Sequence, residues 1–118
     1  MSSADTRTLI AEAVQRLQDE LPALRQLRLV VRLELRARGD VPTWRVEVPG
    51  PKISKDPAAD ARVDVSMPRP QFNDLAKEGT LRQWVDAYDH GHVNVSGEAA
   101  VVKLVGNVIA RQLARTRA

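Results

Sequence analysis

The chain has 118 residues, enough for one domain of ordinary size and too few for two. It contains no cysteine, which excludes thiolate metal sites, iron–sulfur clusters, disulfides and a thiol nucleophile. The net charge of +3 comes from 18 basic and 15 acidic residues, and the basic excess lies at the two ends, where it can meet phosphate or complement a helix dipole.

The N-terminal segment lacks the features of a secretion signal. Residues 1–15 carry acids and alternate polar with apolar residues, so they have no continuous apolar core. No apolar run approaches the ~18 residues that a membrane-spanning helix needs. We therefore expect a cytoplasmic protein.

The first two predicted elements are a helix and a long strand. Apolar residues recur at helical spacing from Thr6 to Leu21, with Asp5 placed to cap the helix, and Pro22 interrupts or ends the pattern. From Leu27 to Arg38, apolar and polar residues alternate. This period of two predicts a strand with one leucine-rich face and one arginine-rich face.

Two more strands follow. Alternation from Thr43 to Val48, after a turn at residues 39–42, predicts a strand that pairs with the first as a hairpin. Residues 49–60 contain three prolines and a glycine, which indicates a loop with a short strand near Ile53. The third alternating stretch, from Ala61 to Met67, predicts another strand.

Helices dominate the last part of the chain. Gln71 to Glu78 and Leu81 to Tyr88 are predicted helices separated by Gly79. A short strand from His92 to Ser96 then leads into a final helix from Glu98 to about Arg115. The apolar residues of that helix span an arc of about 180°, wider than a single core contact requires. This extra width has two explanations: a helix wedged between sheet and neighbouring helices, or one wall of an apolar ligand cavity or partner contact.

The two histidines could begin a metal or acid–base site, because His90 and His92 follow Asp86 and Asp89 closely. Strand alternation, however, directs His92 to the side opposite the valines of its strand, toward solvent. A metal site needs three or four ligands that converge on one point, which this pattern does not provide. We interpret the histidines as turn and surface residues, and we find no motif for a catalytic nucleophile or a phosphate loop.

The arginine-rich strand face allows a second interpretation. A row of guanidinium groups on a sheet can bind nucleic acid or anionic lipid. Glu34 interrupts the row, and no aromatic residue lies beside it to stack on bases. Cross-strand pairing with Glu47 or Asp64 is the simpler explanation, so nucleic-acid binding is disfavoured. The arginines concerned are Arg28, Arg32, Arg36 and Arg38.

The order of elements from Trp44 to Ile109 resembles the sterol carrier protein type 2 (SCP-2) family. The resemblance rests on a W-x-V-x-V strand, an acid-containing alternating strand at residues 60–66, a helix reading Phe72-x-x-Leu75-x-x-x-Gly79, then Trp84 and Ala87, the segment GHVNVSG at residues 91–97, and the apolar helix that contains Leu104. These marks cover a little over half of the chain. No single motif is specific, and the resemblance depends on their order and spacing together.

This resemblance implies an α+β fold over residues 1–118: a single SCP-2-like domain with a five-stranded, mainly antiparallel sheet and helices packed on one face. It also implies a non-catalytic lipid-binding or lipid-transport domain, with no cofactor or metal, that holds a fatty acid, acyl-CoA or sterol-like lipid in an apolar tunnel between sheet and helices. The residues expected to line the tunnel are Trp44, Phe72, Leu75, Trp84, Val85, Tyr88, Val101, Leu104, Val105 and Val108.

Two alternatives to lipid binding stay open at this stage: an accessory protein-interaction domain without a cavity, and the disfavoured nucleic-acid-binding module with its arginine-rich sheet face. The cavity can have collapsed, in which case the domain works as an accessory partner of another protein. Contact with a membrane, if there is any, is expected to be peripheral.

Overall fold

The computed structural model describes residues 3–116, apart from the side chains of residues 3, 4, 78 and 116. Its elements, in chain order, are α1 (Ser3–Glu20), a short 3₁₀ helix (Pro22–Gln26), β1 (Leu29–Arg36), β2 (Thr43–Val48), β3 (Lys52–Ser54), β4 (Val63–Pro68), α2 (Arg69–Glu78), α3 (Leu81–Asp89), β5 (Asn94–Gly97) and α4 (Ala99–Thr116).

The five strands form one sheet in the order β3-β2-β1-β4-β5. β1 pairs antiparallel with β2 and parallel with β4, and the pairings of β2 with β3 and of β4 with β5 are antiparallel. The predicted hairpin and the mainly antiparallel five-stranded sheet are therefore confirmed. The parallel pair lies at the centre of the sheet, so the chain must cross from one side of β1 to the other between β3 and β4.

One face of the sheet carries the hydrophobic core. The register places Leu33 of β1 between Trp44 and Val65, and Leu35 opposite Met67, so the alternating apolar residues form continuous rows across the strands. Helices cover these rows, and the same buried cluster contains Ile10 and Ala13 from α1, Phe72, Leu75 and Ala76 from α2, and Ala87 from α3. We call this side of the sheet the inner face.

The opposite, outer face is crossed by the β3–β4 connection, residues 55–62. Arg32 holds this segment, because its Nη2 donates to the Ala58 carbonyl at 2.9 Å while its Nη1 lies 3.1 Å from Asp64 Oδ1. Arg45 donates to the Pro57 carbonyl at 3.3 Å and forms an ion pair with Asp60. Hydrogen bonding from Arg45 lowers the pKa of the Asp60 carboxyl. The predicted pairing of an arginine in this row with Asp64 is confirmed for Arg32.

A tight junction joins α2 to α3. Thr80 caps α3, with its hydroxyl accepting from the Gln83 backbone N–H at 3.3 Å, and the Gln83 side chain accepts from the Thr80 N–H at 2.8 Å. Gly79 packs so closely that a Cβ there would overlap the Leu75 carbonyl oxygen. This junction fixes the direction in which α3 leaves α2.

Predicted boundaries were wrong in several elements, among them β4, which begins at Val63, two residues after the predicted Ala61. Asp5 lies in the first turn of α1 and does not precede it, because the helix already begins at Ser3. β1 is shorter than predicted at both ends, since a 3₁₀ helix occupies the chain up to Gln26 and the turn after β1 starts with an isolated bridge from Ala37 to Asp40. β5 begins at Asn94, two residues later than predicted.

Candidate ligand-binding site

The centre of the inner face is incompletely covered. Leu35 of β1 and Met67 of β4 are each 0% exposed, whereas Val31 and Val65 on the same strands are only partly buried. Val95 of β5, which pairs with Val65, is also partly buried. Apolar residues at the centre of a sheet are normally enclosed when helices cover the face. The helices therefore leave part of the apolar surface of Val31, Val65 and Val95 accessible, although Val63 and Met67 on either side of Val65 are buried.

The helix α3 carries apolar side chains at the border of the core and outside it. Trp84 packs against the border of the core, with its ring edge-to-face to Phe72 at 6.4 Å between centroids. Val85 is half-buried, and Tyr88 at the end of the helix is 50% exposed. α3 thus leaves part of its apolar surface outside the core.

The final helix, α4, is also only partly covered. Val101 near its start is buried, but Val105 and Val108 are half-buried and Leu104 is 47% exposed. None of these four belongs to the core cluster or to the apolar residues packed against it within the described part of the chain. The wide apolar arc predicted for this helix is therefore not filled by sheet and neighbouring helices.

The ten residues predicted to line a tunnel separate into two groups. Trp44, Phe72 and Leu75 are members of the core cluster, and Trp84 packs at its border. The structure does not bring the other six into that cluster. These are Val85, Tyr88, Val101, Leu104, Val105 and Val108.

A solvent-open cleft of about 420 Å³ lies on the other side of α3, where it meets α2 and the turn at residues 90–92. Among the predicted lining residues, only Leu75 contributes to it. Sequence reasoning missed this cleft, although the Gly79 junction and the histidine turn that border it were visible. Its lining is mostly polar: Gln71, Asp74, Leu75, Gly79, Gln83, Asp86, Ala87, His90 and His92.

The histidines in this cleft lie beside each other. The rings of His90 and His92 are stacked with 6.4 Å between centroids, and His90 Nδ1 is 2.6 Å from the Asp86 carbonyl oxygen. Both side chains are exposed, as predicted for His92. In residues 3–116, no three histidine or carboxylate side chains come together in a way that could hold a metal ion.

A buried polar atom lies on the inner face at the β2 side. Trp44 is 2% exposed, and its Nε1 has no hydrogen-bond partner among the described residues. The Lys55 ammonium lies 4.3 Å from the centre of the Trp44 ring. Sequence reasoning did not single out Lys55, because only the strand register shows which residue faces Trp44.

No helix within residues 3–116 is long and apolar enough to cross a membrane. No protein-family model matches the sequence, and no curated protein matches it.

Solved structures give clear matches. One is palmitated SCP2L2 from Aedes aegypti, with 20% identity, a TM-score of 0.57, and coverage of 83% of this chain and 92% of that one. A second is sterol carrier protein domain 2 of Helicoverpa armigera, with 12% identity, a TM-score of 0.60, and coverage of 90% and 85%. A third is Aedes aegypti sterol carrier protein 2 in complex with palmitate, with 20% identity, a TM-score of 0.55, and coverage of 86% and 91%. The chain therefore has the sterol carrier protein 2 fold, as its sequence predicted.

Proposed function

We propose that this protein is a non-catalytic carrier or binding domain in the cytoplasm that holds a fatty-acyl or sterol-like lipid between the inner face of its sheet and the apolar sides of α3 and α4. The observation that carries the proposal is the partial exposure of Val31 and Val65 on the central strands β1 and β4, and of Val95 beside them on β5. Apolar surface in that place contributes to stability only if something covers it. An acyl chain has the shape and the chemistry to do so.

The cost of an empty apolar cavity limits what the proposed tunnel can be. An apolar cavity of ~300 Å³, the low end for ligand pockets, would cost on the order of 7 kcal/mol at ~24 cal/mol per Å³. That is comparable to the whole stability of a domain, about 5–15 kcal/mol. A tunnel of this size must therefore hold lipid or water, or have collapsed. Two of the similar solved structures are described as palmitated or as a complex with palmitate, so a fatty acid is the first ligand to test.

The proposal is tested by identifying what accompanies the purified protein. Native mass spectrometry should show a mass increment above the 13.1 kDa chain, and denaturing extraction should release a lipid. Delipidated protein should then bind palmitate with one-to-one stoichiometry. Failure of the delipidated, folded protein to bind palmitate, acyl-CoA or a sterol would refute the proposal.

A second candidate is an accessory protein-interaction domain without a cavity. The observation in its favour is that Tyr88 and Leu104 are each about half exposed, on two different helices. A contiguous exposed apolar patch marks an interaction site, so this candidate requires that the two side chains belong to one patch. The two candidates differ in one measurable respect, because a partner would bury these side chains without any lipid being bound.

A further inference from the structure

Two hydrogen-bond donors lie together on the inner face, and neither has an acceptor among the described residues of the protein. Trp44 Nε1 is buried and has no partner among the described residues. Leaving such a donor unsatisfied is costly, and buried polar groups in folded proteins nearly always find a partner. Lys55 Nζ lies over the same ring, and Lys55 takes part in none of the salt bridges formed within residues 3–116.

The strand register explains why these two residues meet. β3 pairs with β2 through Ile53 with Val46 and Ser54 with Arg45, so the next residue, Lys55, follows opposite Trp44. Alternation then places Lys55 on the inner face with Ile53, and Lys52 on the outer face opposite Glu47. The two lysines are thus near neighbours in the chain and lie on opposite sides of the sheet.

We propose that Trp44 Nε1 and Lys55 Nζ together bind the carboxylate of a free fatty acid whose chain lies along the inner face. This inference rests on the proposed function and adds the ligand's headgroup to it. A carboxylate accepts hydrogen bonds at two oxygens, so it satisfies the indole N–H and the ammonium at once. A thioester such as acyl-CoA and the hydroxyl of a sterol lack that negative charge.

A cation–π contact alone accounts for the position of Lys55, since an ammonium over a tryptophan ring is favourable by itself. It does not supply an acceptor for the Trp44 N–H. Lys55 is exposed and its side chain is flexible, whereas Trp44 is 2% exposed with Lys55 in place. Binding of the headgroup therefore requires the Lys55 side chain to move aside while its ammonium stays within reach of the carboxylate.

The test compares palmitate with its uncharged methyl ester, which has the same chain. Affinities are measured by competition against a fluorescent acyl probe for the wild-type protein, Lys55→Met and the control Lys52→Met. We expect Lys55→Met to weaken palmitate binding about 10-fold or more, as for loss of a charge-assisted hydrogen bond, and to leave the ester unchanged. Lys52→Met should bind both ligands like the wild type.

Trp44 is followed separately by NMR, because its replacement in the core could unfold the protein. The chain has two tryptophans and so two indole N–H signals, one from Trp44 and one from Trp84. We expect palmitate to shift the Trp44 indole proton downfield, and Lys55→Met to reduce that shift.

Three results overturn the inference. If palmitate and its ester bind the wild type with equal affinity, and Lys55→Met changes neither affinity, the proposed carboxylate site is wrong. The proposed lipid-binding function would still stand. The carboxylate site is also wrong if the chemical shift of the Trp44 indole proton does not change on saturation with palmitate. If neither ligand binds the folded wild-type protein, both the proposed function and the proposed carboxylate site are wrong.

Discussion

Replacing Val65 by phenylalanine tests whether the centre of the inner face is open. Val65 is partly buried there, whereas Val63, two residues earlier on the same strand and face, is 7% exposed. The same substitution at Val63 is therefore a matched control. A larger side chain should find room at Val65 and none at Val63.

The two variants should differ in stability. Forcing extra atoms into a packed interior costs about 1–3 kcal/mol, which we expect for Val63→Phe. For a chain of this length, each kcal/mol corresponds to a fall in Tm of about 3–5 °C. Val65→Phe should change the free energy of unfolding by less than about 0.5 kcal/mol, because the ring enters unfilled space.

Ligand binding provides the second measurement. If the new ring displaces about two methylene groups of the acyl chain, at ~0.8 kcal/mol each, palmitate affinity should fall about 10-fold or more. Urea denaturation and palmitate titration of the delipidated proteins measure the two effects. Equal destabilisation by Val63→Phe and Val65→Phe would mean that the sheet is as tightly packed at Val65 as at Val63, and would refute the reasoning.

Three further predictions concern other parts of the molecule. Leu104→Arg should leave stability unchanged within about 0.5 kcal/mol, because the side chain is already half exposed, and should abolish lipid uptake; a folded variant with unchanged lipid binding would contradict the placement of α4 at the site. Pairing with Arg45 lowers the pKa of Asp60, so the charged pair stabilises the fold above about pH 4. This contribution is lost as the pH falls through the lowered pKa of Asp60 in the folded protein. Asp60→Asn should therefore reduce stability in urea at pH 7 and have no effect at a pH where Asp60 is protonated, and an equal loss at both would exclude the charge as the cause. His90→Ala combined with His92→Ala should leave palmitate affinity intact, whereas loss of a bound metal detected by elemental analysis would revive the metal interpretation.

The sequence predicted an element well where its apolar spacing was regular and a turn, a proline or a glycine marked where it begins and ends. β2 was predicted exactly at Thr43–Val48, because six alternating residues lie between a turn and a proline. α2 and α3 were predicted to within two residues, since Gly79 separates two stretches of helical spacing. The ends of β1 were not marked in this way, and its alternation continues into residues that other contacts hold out of the sheet.

The site was less predictable because it depends on distant contacts. Alternation showed that Val31 and Val65 face inward, but it could not show how much of each the helices cover. The parallel pairing of β1 with β4 depends on the crossing of residues 55–62, which Arg32 helps to hold on the outer face. The contact between Lys55 and Trp44 follows from the β2–β3 register, which a three-residue strand does not reveal in sequence.

The attachment of α4 has a consequence for how the molecule fluctuates. This helix packs mainly against β5, a four-residue strand at one edge, whereas β1 is hydrogen-bonded to a neighbour on each side. Elements held at a margin open at lower free energy than the centre of a fold, so amide hydrogens in α4 should exchange faster than those in β1. If the proposed lipid lies beneath α4, detachment of this helix would admit or release it while the strands of the sheet remain paired.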